Sequence, residues 1–430
     1  MKIGIMGTGR VGLPTGVGFA ALGHAVVCVD KDIAMLERLQ AGKIPWVEAG
    51  LEELLRSQMG RMRFTIDAKE LCGADVVLLA VPTPSRPGSD ASDLSFIRQA
   101  VGEVSAAMPC PAVLAIKSTV PVGTGDVLQA KLRRKNSKLA VVSFPEFFCE
   151  GTAVRDFFSP SRLVVGVEQE WAREVMDHLL RPFADRCPLL FVSRRTAELV
   201  KHASNAFLAM KVHYANEMAD LCEKTGASGA DVLQAIGLDP RIGNQFLRPG
   251  PGYGGSCFPK DCRALAAMGR RWKVPLRLVR ATIAGNEARL KAMVRRILST
   301  VQTIPCPRIA LLGLAFKGGT ADCRESPMLA IAEGLIANGV DITVFDAAAD
   351  GAKNLSMVRV RHAVDATDAA TGADVVVIGT EDFYQLDLGK IRAVVRTAQI
   401  VDLRNVLDAD RAKCFGFFYL PIGEKPPPNG

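Results

Sequence analysis

Short apolar runs alternate with longer stretches of helical period over residues 3 to about 191. The runs include AVVCVD, ADVVLLAVPTP, AVLAIKSTV and LAVVSFPEF, which are rich in the residues typical of strands. Strands that alternate with helices along a chain favour a parallel sheet with crossover helices. The first part of the chain is therefore predicted to be an α/β domain.

The strand signal disappears over residues 194 to about 299. The segment RTAELVKHASNAFLAMKVHYANEMADLCEKTGA has its apolar positions three and four apart, which is the spacing of one helix face. A helical middle domain is predicted here.

A second alternating region follows the proline-containing segment VQTIPCPR. Its predicted strands are RIALLGLAF, VDITVFD, ADVVVIGTE and AQIVDLRNVLD, and VDITVFD and GADVVVIGTEDF echo HAVVCVD and GADVVLLAVPTP of the first region. The predicted fold class is α/β, with two Rossmann-like doubly wound domains joined by a helical middle domain.

The predicted boundaries are 1–192, 193–300 and 301–423. Residues 424–430, EKPPPNG, contain three consecutive prolines, which remove backbone donors and restrict φ. This segment is predicted to be a disordered tail.

Composition narrows the range of partners. The net charge is +8, but the basic residues are scattered, so no nucleic-acid partner is expected. The eleven cysteines contain no CxxC pair and the five histidines show no metal-ligand spacing, so neither a disulfide framework nor a metal site is expected. The N-terminus lacks the apolar region of a signal peptide, and no apolar run approaches the ~18 residues of a membrane span. We therefore expect a cytoplasmic protein without a membrane partner.

A glycine turn follows the first predicted strand. The segment IGIMGTGRVG places Gly7, Gly9 and Gly12 where glycines allow a tight turn, close approach of a pyrophosphate and close helix packing. Asp30 ends the next predicted strand, where its carboxylate can accept hydrogen bonds from ribose hydroxyls and repel a 2′-phosphate. NAD is therefore favoured over NADP as the cofactor.

A glycine-rich loop, PGPGYGGSCFPKD, leads to Cys257 at a predicted helix start. A helix N-terminus and the neighbouring Lys260 would favour the thiolate that a covalent nucleophile needs. The alternative is an inert buried cysteine.

The helical segment ELVKHASNAF holds Lys201 and Asn205 four residues apart, on one helix face. An ammonium and a carboxamide together can stabilise a developing oxyanion. Taken alone, the pair also fits a solvated surface.

These motifs, together with IPWVEAGLEELL, VPTP, KSTVPVGTG, FPEFFCEGTAVRDF, LAFKGGTADCRESP and VDLRNVLD, occur in an order that resembles the UDP-glucose/GDP-mannose dehydrogenase family along nearly the whole chain. The resemblance implies that Cys257 attacks an aldehyde intermediate, and that the resulting thiohemiacetal is oxidised to a thioester and hydrolysed to an acid. It implies that Lys201 and Asn205 stabilise the oxyanion. It further assigns Asp261 and Thr119 to proton handling and Glu146 to general acid and base work.

The resemblance also implies two sets of binding residues. The positions around NAD are Gly7, Thr8, Gly9, Arg10, Val11, Gly12, Asp30, Val81, Thr83, Ser118, Thr119, Glu150 and Arg324. The positions around the nucleotide sugar are Glu146, Phe147, Phe148, Cys149, Glu150, Lys201, Asn205, Arg241, Arg248, Tyr253, Gly254, Phe316, Lys317 and Arg404. Family members use the residue at Arg241 in the neighbouring subunit's site, so a homodimer or higher homo-oligomer is implied.

The segment RIGNQFLRPGPGYGGSCFPKD is more similar to the UDP-glucose branch than to the GDP-mannose branch, which favours UDP-glucose as substrate. UDP-N-acetylhexosamines and GDP-mannose remain alternatives. A two-electron hydroxyacid dehydrogenase would have no use for Cys257, and a non-catalytic sensor would be free to lose it. Arg10, Met35 and the pair Gly318 and Gly319 depart from the usual family residues, which puts the cofactor affinity in doubt.

Overall fold

The computed structural model describes residues 1–135, 137–346 and 360–425. The chain divides into two compact units, Met1–Ser204 with Arg263–Pro275, and Asn205–Cys262 with Leu276–Gly430. The division falls inside two continuous helices. The domain boundaries expected from the sequence stay a prediction, and residues 426–430 of the predicted tail lie outside the described residues.

The first unit is built on a sheet of eight strands in the order β3-β2-β1-β4-β5-β6-β7-β8. The strands are β1 (Lys2–Met6), β2 (Ala25–Val29), β3 (Met62–Thr65), β4 (Val76–Leu79), β5 (Ala112–Ile116), β6 (Leu139–Ser143), β7 (Leu163–Gly166) and β8 (Leu189–Val192). The helices of this region are α1 (Gly12–Ala21), α2 (Ile33–Gln40), α3 (Leu51–Gln58), α4 (Ser95–Ala107), α5 (Thr124–Arg134), α6 (Ala153–Phe158) and α7 (Glu170–Leu180). Short 3-10 turns lie at Met59–Arg61, Ala68–Leu71 and Arg181–Phe183.

The predicted parallel arrangement holds for β1 to β6, but β7 runs antiparallel to β6 and carries β8 with it. The apolar run of β7 has no feature that encodes its direction, because a buried strand has the same composition in either orientation. The carboxyl ends of β1 to β6 share one edge, where ligands of such sheets bind.

Four helices follow: α8 (Arg194–Thr225), α9 (Gly229–Gly237), α10 (Phe258–Arg271) and α11 (Arg277–Thr300). The predicted helical period of residues 194–225 is thus realised as one helix of 32 residues. Among the described residues, no helix combines the length and apolar character needed to span a membrane.

The second unit contains a parallel sheet in the order β11-β10-β9-β12-β13-β14. Its strands are β9 (Arg308–Leu312), β10 (Asp341–Phe345), β11 (Val360–His362), β12 (Val375–Ile378), β13 (Gln399–Asp402) and β14 (Phe418–Pro421). Its helices are α12 (Pro327–Ala337), α13 (Ala366–Ala370), α14 (Leu388–Val394) and α15 (Ala409–Cys414), with a 3-10 turn at Glu381–Phe383. The strand order repeats that of β1 to β6, and the predicted α/β class with two Rossmann-like sheets is confirmed.

Candidate functional site

The glycine turn between β1 and α1 leaves room for a ligand. Gly7 has a φ of +93°, and a side chain there would meet the Ala80 carbonyl oxygen at 2.7 Å. A side chain at Gly12 would collide with the Gly7 carbonyl, whereas one at Gly9 would meet nothing within 4 Å. The backbone is thus closed around Gly7 and Gly12 and open at Gly9, which fits a cofactor pyrophosphate at the start of α1.

Asp30, directly after β2, is tied to this turn. Its Oδ2 accepts hydrogen bonds from the Thr8 amide at 2.6 Å and the Thr8 hydroxyl at 2.8 Å. Its Oδ1 accepts from the amides of Lys31 at 2.7 Å and Asp32 at 3.1 Å. The carboxylate is therefore held where the carboxyl ends of β1 and β2 meet.

Arg10 and Glu150, both expected near the cofactor, form an ion pair. The Arg10 guanidinium also lies 5.8 Å from the centre of the Trp46 ring, within reach of a cation–π interaction. Helix α6 begins three residues after Glu150, and Glu48 holds its start. The Glu48 carboxylate accepts hydrogen bonds from the Gly151 amide at 3.1 Å and the Ala153 amide at 2.7 Å. Trp46 and Glu48 were not among the predicted site residues, although both lie in the IPWVEAGLEELL motif.

The turns after β4 and β5 are bonded to each other. The Ser118 hydroxyl donates to the Val81 carbonyl at 2.6 Å, and the Thr83 hydroxyl donates to the Thr119 carbonyl at 2.9 Å. The four predicted cofactor residues Val81, Thr83, Ser118 and Thr119 are thus brought together at the carboxyl edge of the sheet.

Glu198, in the second turn of α8, was not predicted and holds the start of α5. Its carboxylate accepts from the amides of Gly123 at 2.6 Å and Gly125 at 2.8 Å and from the Ser143 hydroxyl at 3.1 Å. Burial raises the pKa of Glu198, and these hydrogen bonds oppose that rise. The turn that carries Ser118 and Thr119 is therefore anchored at its far end.

Glu146 and Lys201 form a buried ion pair, with Oε1 and Nζ 3.0 Å apart. The second oxygen of Glu146 accepts from the Phe148 amide at 2.5 Å, and the Lys201 ammonium lies 5.6 Å from the centre of the Phe147 ring. Removing one partner of such a pair would leave an uncompensated buried charge, at a cost of about 3–5 kcal/mol. The sequence predicted both residues as site residues but did not predict that they pair. Their ion pair joins α8 to the segment after β6.

Lys117 was missed by sequence reasoning, which named its neighbours Ser118 and Thr119. The residue follows β5 and is 5% exposed. Burial lowers the pKa of Lys117 to about 8; the Glu146 carboxylate opposes this and the Lys201 charge adds to it. A lysine directly after the five apolar residues of β5 is the signal that could have identified it.

Cys257 lies immediately before α10, in the second unit, and its side chain is exposed. One turn further on, the Asp261 amide donates to the Cys257 carbonyl at 2.9 Å. The Asp261 carboxylate is buried and accepts from Lys260 Nζ and from Asn205 Nδ2, each at 2.6 Å. Asp261 and Lys260, in the first turn of α10, are therefore fixed to Asn205 of α8.

The glycine-rich loop before Cys257 is held by α8 and α11. The Gly250 amide donates to Asn216 Oδ1 at 2.7 Å, and Arg289 Nε donates to the Gly250 carbonyl at 3.0 Å. Tyr253 exchanges two hydrogen bonds with the Asn286 carboxamide, at 2.9 and 3.0 Å. The Tyr253 hydroxyl also donates to the Thr282 carbonyl at 3.5 Å, so helices α8 and α11 together fix the path of the loop.

Several predicted nucleotide-sugar residues meet this loop. A side chain at Gly255, where φ is +84°, would lie 2.9 Å from the Phe316 ring. Arg404 donates to the Phe316 carbonyl at 2.7 Å and the Gly379 carbonyl at 2.9 Å and lies 3.3 Å from the Glu381 carboxylate. Burial lowers the pKa of Arg404, and the nearby carboxylates oppose that effect. Tyr253, Gly254, Phe316, Lys317 and Arg404 therefore belong to one region of the second unit.

Other predicted residues are not gathered there. The Arg241 side chain is 87% exposed and is bonded to Asp239 at 2.6 Å, and Arg248 is also exposed. Arg324, expected near the cofactor, lies in the second unit and donates to Asp322 at 2.6 Å. Phe147, Phe148, Cys149 and Glu150 follow β6 in the first unit. Within the described residues no group of three His, Cys, Asp or Glu side chains could hold a metal ion.

Comparison with known proteins identifies three consecutive regions of the chain. Models of the UDP-glucose/GDP-mannose dehydrogenase family match residues 1–184 (NAD binding domain), 195–288 (central domain) and 310–409 (UDP binding domain). The UDP-glucose 6-dehydrogenase of Rhizobium meliloti is 45% identical, with 98% of this chain and 99% of that protein covered. The Bacillus subtilis UDP-glucose 6-dehydrogenase is 37% identical, with 99% and 98% covered.

Solved structures agree as well. The UDP-glucose dehydrogenase of Pyrobaculum islandicum is 34% identical, covers 94% of each chain and has a TM-score of 0.87. The UDP-D-ManNAc dehydrogenase of Pyrococcus horikoshii is 27% identical, covers 98% of this chain and 99% of its own, and has a TM-score of 0.86. Since three family models and relatives of matching length agree with an NAD-type glycine turn in the first sheet, the chain belongs to the UDP-glucose/GDP-mannose dehydrogenase family and is an NAD-dependent oxidoreductase.

Proposed function

We propose that this enzyme oxidises the C6 alcohol of UDP-glucose to the carboxylate of UDP-glucuronate in two two-electron steps. The observation that carries the proposal is Cys257, exposed at the start of α10 one turn before a buried Asp261 that is bonded to Asn205 and Lys260. A thiol is needed only if an aldehyde must be captured and oxidised further, because a simple alcohol oxidation leaves it no role.

Bound NAD would supply the hydride acceptor in each of the two oxidations. Its phosphates would lie at the open glycine turn and its ribose at Asp30. In the first step the substrate alcohol loses a hydride and a proton, and an active-site water whose protons Asp261 and Thr119 handle accepts the proton. The buried ammonium of Lys201 stabilises the alkoxide that forms as the proton leaves, a contribution on the order of 3 kcal/mol for one well-placed donor.

Cys257 then attacks the aldehyde carbon, and the new C–S bond leaves an oxyanion that Lys201 and Asn205 stabilise. Loss of the second hydride converts the thiohemiacetal to a thioester. Water, deprotonated by Glu146, attacks the thioester carbon and the C–S bond breaks, which releases the acid and regenerates the thiolate.

UDP-glucose is the substrate favoured by the relatives, since proteins named UDP-glucose 6-dehydrogenase are 45% and 37% identical to this chain over matching lengths. The buried guanidinium of Arg404 and the ring of Phe316 suit a pyrophosphate and a flat base or sugar face. UDP-N-acetylhexosamines and GDP-mannose are the alternatives that a substrate panel separates.

A homodimer through α8 is also proposed. Phe207, Tyr214 and Leu221, seven residues apart, are 59%, 45% and 55% exposed, and Met210 and Glu217 fall between them at spacings of three and four. Such a stripe is typical of a helix that packs against another helix. A second copy of the chain is the occupant proposed, and it would carry the exposed Arg241 toward its partner.

The direct test counts NADH formed per sugar consumed, at 340 nm, with NAD and UDP-glucose, UDP-N-acetylglucosamine, UDP-N-acetylmannosamine or GDP-mannose. Two NADH per UDP-glucose and formation of UDP-glucuronate are expected. One NADH per sugar would contradict the four-electron reaction and support a simple alcohol oxidation. Two NADH with another sugar alone would replace UDP-glucose as substrate.

A further inference from the structure

The proposed mechanism gives no role to the buried Lys117. Lys117 follows β5 and is 5% exposed, and its amide donates to the Leu79 carbonyl at 2.9 Å. Lysine is almost never fully buried unless its charge is compensated, since transfer of an ammonium from water costs several kcal/mol. The groups that compensate the charge of the buried Lys117 ammonium therefore need to be identified.

Two aromatic rings and an ion pair surround this ammonium. Its Nζ lies 4.2 Å from the centre of the Phe144 ring and 5.3 Å from that of Phe148, both within cation–π range. Phe144 and Phe148 flank Glu146 in the segment after β6. The charged groups that act on Lys117 are Glu146 and Lys201, which are themselves paired at 3.0 Å. Glu146 is thus paired with Lys201 and acts electrostatically on Lys117 as well.

The influence of Lys117 on Glu146 becomes important when Lys201 also stabilises an oxyanion of the substrate. When the Lys201 ammonium turns to an oxyanion of the substrate, the Glu146 carboxylate loses part of the charge that compensates it. Lys117 lies on the rings of Phe144 and Phe148, which flank Glu146 in the segment after β6 of the same unit. Its charge is therefore available to Glu146 throughout the reaction.

We propose that Lys117 is a positioning residue, a second cation that holds the Glu146 carboxylate in place while Lys201 serves the substrate. The inference rests on the proposed function, in which Glu146 acts as base in thioester hydrolysis. Lys117 works through Glu146 and does not touch the reacting atoms.

The titration of Lys117 provides a signature. Because its pKa is lowered to about 8, its charge is present at pH 6.5 and largely absent at pH 9.5. The contribution of Lys117 to the rate should therefore be large at the lower pH and vanish at the higher one. A side chain that only filled space would contribute equally at both.

The experiment compares kcat of wild type and Lys117→Met with NAD and UDP-glucose from pH 6.5 to 9.5. We expect wild type to be faster by about tenfold at pH 6.5, where Lys117 is charged, which corresponds to the loss of about 1.4 kcal/mol of transition-state stabilisation in the variant, and the ratio to approach one at pH 9.5. Lys117→Arg should keep the wild-type rate at pH 6.5 and hold it through pH 8. Lys131→Met, which removes an exposed lysine of α5, is the matched control and should leave the profile unchanged.

A second measurement needs no substrate. The unfolded chain binds more protons than the folded one between the folded pKa of about 8 and the ordinary value of 10.5, so wild-type stability should gain with rising pH in that window. The thermal midpoint of wild type minus that of Lys117→Met should therefore increase from pH 8 to pH 10.

A wild-type to Lys117→Met rate ratio that is the same at every pH, or equal to one at pH 6.5, would overturn the inference while leaving the proposed function intact. A wild type that forms only one NADH per sugar would instead contradict the proposed function. The two failures are distinguishable because the first is read from the variant and the second from the wild type alone.

Discussion

At the scale of single residues, the half-buried Asp30 is held by donors from neighbouring segments of its own unit. The Asp30 carboxylate accepts four hydrogen bonds, two from Thr8 and one each from Lys31 and Asp32, which fills the four acceptor positions of a carboxylate. A ribose hydroxyl must therefore displace one donor, and the Thr8 hydroxyl is the one that can rotate away. The sequence predicted the role of Asp30 but not this competition.

Replacing Asp30 with serine should weaken NAD binding and relax selection against NADP. The loss of a charged acceptor costs about 1.5–3 kcal/mol, so KM for NAD should rise by about tenfold or more while the ratio of NADP to NAD use increases. Initial rates with each cofactor measure both effects, and Glu37→Gln, an exposed acid of α2, is the control. An unchanged preference for NAD would contradict the role of Asp30.

Replacing Cys257 with serine tests the covalent route. Serine lacks a nucleophilic anion at neutral pH, so acid formation should fall by about 10³-fold or more. The measurement is chromatographic detection of UDP-glucuronate, and Cys414→Ser, an exposed cysteine at the end of α15, should keep wild-type activity. Undiminished acid release from Cys257→Ser would rule out a thioester.

At the scale of elements, α8 has two apolar faces. One face buries Ala209, Ala215 and Ala219 within the chain, and the other exposes Phe207, Tyr214 and Leu221. The apolar spacing in the sequence predicted a helix, but a spacing of three and four does not say how many faces are covered by the same chain. Only the packed structure shows which stripe stays exposed.

The double substitution Phe207→Glu and Tyr214→Glu should convert the dimer to monomer, because two carboxylates would be buried at the proposed interface. Sedimentation velocity measures the change in mass. Leu278→Glu, which places a carboxylate at a side chain of α11 that is 71% exposed, is the control and should leave the mass unaltered. A dimer that survives the double substitution would exclude this face of α8.

The same interface predicts complementation between two inactive variants. If Arg241 acts in the partner's site, a mixed dimer of Cys257→Ser and Arg241→Ala retains one complete site. Random mixing makes half the dimers mixed, so coexpression should restore about one quarter of wild-type activity. Mixtures that stay as inactive as the separate variants would place Arg241 outside the partner's site.

At the scale of the whole molecule, the echo between the two alternating regions corresponds to a shared strand order, 3-2-1-4-5-6 in each sheet. A buried apolar run between helices favours a parallel strand, because a crossover helix on the face of the sheet returns the chain in the same direction. The reversal of β7 was not predictable in this way, since its connection to β6 passes through the short helix α6 and its composition is the same in either direction.

The sequence by itself determined the features that depend only on residues close together along the chain. Spacings of a few residues predicted four features: the glycine turn, the alternation of strand and helix, the common face of Lys201 and Asn205, and the position of Cys257 before a helix. What only the tertiary structure decided are the contacts between distant segments: Glu146 with Lys201, Asp261 with Asn205, and the burial of Lys117 between two rings. The physical reason is that the state of a charged group is set by desolvation and by the charges around it, and these come from segments that only folding brings together.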